Sequence, residues 1–214
     1  MDIESDAFEL PEPPQSRIRF LTHSEAASLL RASLRISRAR LYLPLFILIG
    51  LYTGQRKEAI LSLRWSQIDF ENGLIDFNSP EERRTNKRRS KIPIPPTLVP
   101  HLRRARLRGI DLGFVISETG ERIGDIKKSF AAACRRAGLL DVTPHVLRHT
   151  CATWTMQQGL SVWDAAGFLA MTVQTLERVY AHHHPQFMQK ASNAISNRPR
   201  NVRVTRGKLR LIEE

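Results

Sequence analysis

The 214-residue chain carries 33 Lys and Arg against 21 Asp and Glu, a formal charge of +12 that favours a polyanionic partner, as nucleic-acid enzymes, ribosomal proteins and membrane-surface proteins all do. Its 42% hydrophobic and 25% charged content excludes global disorder and suits one domain with flexible ends. The longest apolar run, residues 41–52, is interrupted by Pro44 and Gly50 and is too short to span a bilayer, so it reads as a buried core helix.

Residues 1–16 are acidic and then proline-rich, which predicts a linker or flexible stub and not a signal peptide. The folded domain is expected over 17–195 and a basic tail over 196–214. Thr22, followed three residues later by Glu25, forms a capping box that opens a helix with Ala26, Leu29 and Leu30 as its apolar stripe. Further helices are predicted over 37–52 and 56–63. Residues 67–69 and 74–77 read as strands around Asn72-Gly73, where the glycine supplies a positive φ. Ile92-Pro93-Ile94 reads as a third strand, at an edge because proline donates no ladder hydrogen bond.

A strongly basic connection over 80–91 precedes that strand, and a helix rich in arginine is predicted over 97–108. Asp125 is expected to N-cap a helix that Gly138 ends. Thr143 and Pro144 start a helix ending near Gly159. Ser161 with Asp164 opens the next, and Thr172 caps a last one through Tyr180. The expected fold is mainly α with a small three-stranded antiparallel sheet, an α+β arrangement.

The two cysteines, Cys134 and Cys151, form no CxxC pair, which argues against a zinc site of common spacing and against a disulfide framework. Cys134 reads as a core thiol, and a reducing cytoplasm is the expected compartment. Trp65, Trp154 and Trp163 are expected in the core.

Three stretches stand apart. The first is Thr53-Gly54-Gln55-Arg56, the second His145-Val146-Leu147-Arg148-His149-Thr150-Cys151-Ala152-Thr153, and the third Val179-Tyr180-Ala181-His182. In this order they resemble the boxes of the tyrosine recombinase, or phage integrase, family: T-G-x-R, H-x-L-R-H-T-x-A-T and Y-x-H. The resemblance covers about residues 17–190 and implies the catalytic-domain fold of that family. It also implies a site-specific DNA recombinase in which Tyr180 attacks a phosphodiester, forms a 3′-phosphotyrosyl link and releases a 5′-hydroxyl that can later rejoin. No metal, ATP or other cofactor is called for. Double-stranded DNA is the implied partner, handled by a homotetramer on two sites, with no membrane involved.

The residue types suit that chemistry. Guanidinium forks bind phosphate oxygens in bidentate fashion, and Arg56 and Arg148 match the family's two arginines. His145, three residues before Arg148, shares its helix face and can donate to phosphate or accept the tyrosine proton. The family also uses a lysine between the second and third strands to protonate the leaving oxygen. Lys87, mid-loop, is the first choice and Lys91 the second. Arg83, Arg84, Arg88 and Arg89 are the expected DNA-backbone contacts with Lys91.

His149 is expected as a supporting residue, as are His182, which matches Y-x-H, and Met171. Met171 stands nine residues before Tyr180, where the family usually has His or Trp, and a thioether donates no hydrogen bond. Ala59 likewise replaces a usual acidic residue, with Glu58 one place earlier. The family also usually carries an N-terminal core-binding domain, for which little sequence precedes Ser16. These departures motivate an alternative, a catalytically weak or inactive DNA-binding module. A relative acting as a nicking-closing topoisomerase is a third reading. A His145/His149 metal pair is disfavoured because Arg148 between them would repel a cation. Tyr180 as a plain core aromatic is the remaining alternative.

Overall fold

The computed structural model describes residues 18–78, 90–108 and 113–196. Helix α1 (His23–Ser33) begins as its capping box dictates: Thr22 Oγ1 accepts from the Glu25 N–H at 3.2 Å, and the Glu25 carboxylate accepts from the Thr22 N–H at 2.8 Å. The helix predicted over 37–52 is in fact divided. Arg38–Leu41 is a single 3₁₀ turn, and α2 starts afresh as Leu43–Thr53 with Pro44 in its first turn, where proline's missing N–H costs nothing.

Helix α2 is buried on nearly all sides. It packs on α6 (Pro144–Gln157) at Gly50, where a Cβ would sit 2.8 Å from Leu147 Cδ1. That close approach brings the C-terminus of α2 next to the residue after Leu147, which is Arg148. The first and second boxes therefore meet because a glycine on one helix admits a leucine from the other.

Helix α3 (Lys57–Leu61) follows directly, with Arg56 as its N-cap. The sheet is antiparallel in the order β1 (Ile68–Asp69), β2 (Leu74–Asp76), β3 (Lys91–Pro93). Ile68 pairs with Ile75 and Ile75 with Ile92, so the buried isoleucines line one face. Pro93 lies on an edge strand. Gly73 adopts φ 66° in the β1–β2 turn, and the Asp69 carboxylate accepts the N–H groups of Glu71 and Asn72. The start of the expected first strand is instead a 3₁₀ turn, Trp65–Gln67.

Next come α4 (Val99–Arg106) and α5 (Lys127–Arg136). Ile126, not Asp125, is the α5 N-cap residue, yet the Asp125 carboxylate still accepts the Lys127 N–H at 3.1 Å. Beyond α6 come α7 (Val162–Leu169), α8 (Val173–Tyr180), a 3₁₀ turn at Ala181–His183 and α9 (Gln189–Ser196). Ser161 and Thr172 cap α7 and α8 through their hydroxyls, as expected.

A large core surrounds α2, and a smaller one lies between α6, α7 and α8, built from Met156, Leu169, Met171, Leu176 and Tyr180 among others. Thr150 and Trp154 of α6 bind the backbone of Leu21 and so hold the segment before α1. Trp65 is buried, and Trp154 is half-buried, stacked on His23. Trp163 departs from expectation: it is 76% exposed, because α7 turns Ala165, Ala166 and Leu169 to the core and leaves residue 163 on another side. Cys134 and Cys151 are both buried free thiols. Among the described residues no helix is long and apolar enough to cross a membrane.

Candidate active site

Helix α2 ends at Gly54, whose φ of 62° turns the chain sharply. A side chain there would overlap a Leu169 methyl and approach Cys151 Sγ to 3.2 Å, so conformation and space both require glycine. Gln55 follows, 4% exposed, and its amide donates to Ser90 Oγ at 3.1 Å and the Phe168 carbonyl at 3.2 Å. It ties the first box to α7 and to the residue just before β3. Arg56 then reaches a cavity of about 320 Å³, whose walls include Lys57, Asp125, Lys127, His145 and Arg148.

His145 and Arg148 reach this cavity together, as their spacing on α6 requires. Arg148 is 4% exposed and does not float free. It donates to the Gly54 carbonyl at 2.5 Å and to the Ala170 carbonyl at 3.2 Å. Gly54 caps the C-terminus of α2 and Ala170 that of α7, both in the left-handed conformation, at φ 62° and 49°. The negative ends of two helix dipoles therefore hold one buried cation. Burial, with Arg56 nearby, pushes the guanidinium down to about 10, so it stays charged at neutral pH. Burial first, then Arg148 and Arg56, lowers the His145 imidazole below its ordinary value. At the rim Lys57 pairs with Glu58 at 3.2 Å and Asp125 at 3.4 Å, and Arg122 pairs with Glu58 at 2.9 Å.

Tyr180 is 2% exposed and sits in the smaller core, outside the residues that line the cavity. Its hydroxyl lies 2.5 Å from His149 Nδ1. A buried hydroxyl proton needs an acceptor, and this nitrogen meets that need, leaving the imidazole's own proton on Nε2. Burial pushes the phenol up to about 12, against the opposing pull of Arg148. Burial, then His145 and Arg148, pushes His149 down to about 4. The rings of His145 and His149 meet edge to face, 4.5 Å between centres.

The structure thus brings Arg56, His145 and Arg148 to one cavity, and His149 to Tyr180. Met171 is 8% exposed and packs in the cluster that holds Tyr180, with its N–H bonded to the Ala166 carbonyl. His182 is exposed and tilts against His183, outside the cavity lining. Lys91 is exposed on β3, opposite Asp76. Lys87, Arg83, Arg84, Arg88 and Arg89 lie outside the described residues. Among the described residues no group of three or more His, Cys, Asp or Glu is placed to hold a metal ion.

Sequence reasoning missed the Gln55 bridge, the place of Lys57 and Lys127 in the cavity wall, and the His149–Tyr180 contact. Gln55 sits at the variable position of its box, so the motif gave no signal. The histidine and tyrosine are 31 residues apart, and only the packing of α8 on α6 joins them.

Residues 19–186, which contain all three boxes, match the phage integrase family. The chain belongs to that family. It is similar to the integrase of Salmonella phage P22, 26% identical over 88% of this chain and 50% of the relative. It is also similar to the tyrosine recombinase XerA of Pyrococcus furiosus, 26% identical over 88% of this chain and 67% of the relative. Among solved structures, the catalytic domain of bacteriophage HP1 integrase superposes with a TM-score of 0.60 at 25% identity, covering 84% of this chain and 98% of that one. The chain spans about half the length of the phage P22 integrase it matches. Its helices and three-stranded sheet are those of a phage integrase catalytic domain.

Proposed function

We propose that this chain is the catalytic domain of a site-specific DNA recombinase that cuts and rejoins strands through a phosphotyrosyl bond to Tyr180. The observation that carries the reading is the convergence of Arg56, His145 and Arg148 on one cavity, with Lys57 and Lys127 in the same wall. A pentacoordinate phosphate gathers charge on its nonbridging oxygens, and the guanidinium groups of Arg56 and Arg148 meet that charge. Arg148 is held from behind by two helix ends, so its remaining donors are pre-aimed. His145, kept neutral by its surroundings, can donate one hydrogen bond to the same phosphate.

In the step itself, the Tyr180 hydroxyl gives its proton to a histidine of the second box, its oxygen bonds to phosphorus, and the bond to the 5′-oxygen breaks. The leaving oxygen takes a proton from Lys87, or from Lys91 as the second choice. The sequence between Pro80 and Lys91 supplies the charge for backbone contact through Arg83, Arg84, Arg88 and Arg89. Double-stranded DNA in the cytoplasm is the substrate, and four protomers on two duplexes are the working assembly. A second reading, a DNA-binding module of low activity, is favoured by Met171, whose thioether cannot replace the family's usual donor.

The test is a plasmid carrying two copies of the DNA that flanks the gene. Excision or inversion between the copies supports recombination. Relaxation of supercoils without exchange points to nicking-closing chemistry, and salt-sensitive binding with no strand cleavage to the binding module.

A further inference from the structure

His145 is the histidine of the second box that shares a face with Arg148, and it lines the cavity. Among the described residues, however, no hydrogen bond joins it to the Tyr180 hydroxyl. The group bonded to the Tyr180 hydroxyl is His149, one residue past Arg148, with Nδ1 and the oxygen 2.5 Å apart. The two histidines are distinct in place and in partner. One lines the cavity, and the other is outside its lining, edge-on to the first.

Resting on the recombinase reading, we propose that His149 is a catalytic residue, the acceptor of the Tyr180 proton as the phosphotyrosyl bond forms. The bond from the tyrosine oxygen to phosphorus forms and the bond from phosphorus to the 5′-oxygen breaks. The phenolic proton passes to His149 Nδ1, and the 5′-oxygen is protonated by the loop lysine or by water. His149 becomes an imidazolium and returns its proton when the 5′-hydroxyl attacks in reverse.

The resting protein holds this step back. Burial keeps the proton on the phenol and keeps the imidazole neutral, and Arg148 adds to the effect on the imidazole. A phosphodiester entering beside Arg56 and Arg148 brings a negative charge to the very cation that disfavours a protonated His149. Bond formation to phosphorus removes charge from the phenolic oxygen at the same time. Substrate binding therefore moves both groups toward transfer. Neither Tyr180 nor His149 lines the cavity, so the pair has to reach the phosphate as a unit.

The experiment uses the full chain and a nicked duplex built from the DNA that flanks its gene, and follows the rate of covalent adduct formation. Wild type is compared with His149→Asn and His149→Phe. Asparagine's oxygen can accept the hydroxyl hydrogen bond where Nδ1 does but cannot take up the proton. The expected result is adduct formation slowed by about 100-fold or more in both variants, the usual scale of general-base loss, with DNA binding and its salt dependence unchanged. A fluorinated tyrosine at position 180, whose phenol is more acidic, restores part of the rate in His149→Asn. A merely structural role would not give that rescue. If His149→Asn forms adduct within a few-fold of wild type, His149 only positions the hydroxyl and the proposal is overturned. If His149→Phe is faster than wild type, the contact is a latch and the proposal is overturned as well. If wild type itself forms no adduct, the recombinase reading fails and takes this one with it, an outcome distinct from the other two.

Discussion

Arg148 donates to the carbonyl of Gly54, 94 residues earlier in the chain, at 2.5 Å. The same guanidinium reaches the carbonyl of Ala170, so it closes the ends of two helices while facing the cavity. Structure and proposed chemistry therefore rest on one side chain. Lysine carries the charge but has no planar fork. Arg148→Lys is expected to leave one carbonyl unpaired and to cost about 1–3 kcal/mol in urea unfolding. It is also expected to slow DNA cleavage by about 100-fold or more. Wild-type stability in this variant would separate the two roles.

Gly54 has no room for a methyl group and no conformational licence for one. Its φ is 62°, and a Cβ would strike Leu169, which is fully buried and cannot swing away. The left-handed conformation costs roughly 1–2 kcal/mol for an L-residue, and overpacking adds a similar amount. Gly54→Ala should lower stability by about 2–4 kcal/mol and weaken anion binding in the cavity, since it shifts the carbonyl that holds Arg148. Calorimetric unfolding and phosphate-dependent stabilisation read the two effects.

Thr153 lies in α6, fully buried, and its hydroxyl finds no hydrogen-bond partner among the described residues. An unpaired buried hydroxyl costs free energy that an apolar group of the same shape does not. Thr153→Val is expected to raise stability by about 1 kcal/mol with no change in DNA binding. A loss of stability in urea titration would mean that the hydroxyl has a partner.

Stability should depend on pH through His149. The folded protein keeps this imidazole neutral down to about 4, whereas in the unfolded chain it takes up a proton below about 6.5. Between those values the unfolded state binds more protons. Stability is therefore complete above about 6.5 and falls as pH drops toward 4. His145, lowered in the same direction, adds to the loss. Glu25, held down to about 2 by Arg19, contributes stability above about 4.5 that is lost as pH falls toward 2, though its half-buried surface ion pair is worth no more than about 1 kcal/mol. Urea midpoints at pH 7 and pH 5 measure the histidine window, and His149→Asn should flatten it.

Much of this architecture could be read from local sequence, because helix caps are local. Thr22 with Glu25, Ser161 with Asp164, and Thr172 each start a helix within three residues of themselves, and the structure has all three. The pairing of His145 with Arg148 is also local, fixed by three residues of helix. What escaped depends on tertiary packing. The side of α7 that meets the core decided that Trp163 is exposed. Gln55 reaches Ser90 and Phe168, 35 and 113 residues away. The approach of α8 to α6 gave Tyr180 to His149 and not to His145. The break before Pro44 is local instead: proline suits the first turn of a helix and not its interior, so α2 starts afresh at Leu43.

Covalent trapping tests most directly whether Tyr180 is the nucleophile. Wild type and Tyr180→Phe are incubated with nicked duplexes from the DNA flanking the gene, run on a denaturing gel, and the adduct is mapped by peptide mass. The expected result is a shifted band in wild type, attached at Tyr180 and absent from Tyr180→Phe. A band that persists in Tyr180→Phe, or none in wild type despite salt-sensitive binding by both proteins, would contradict it.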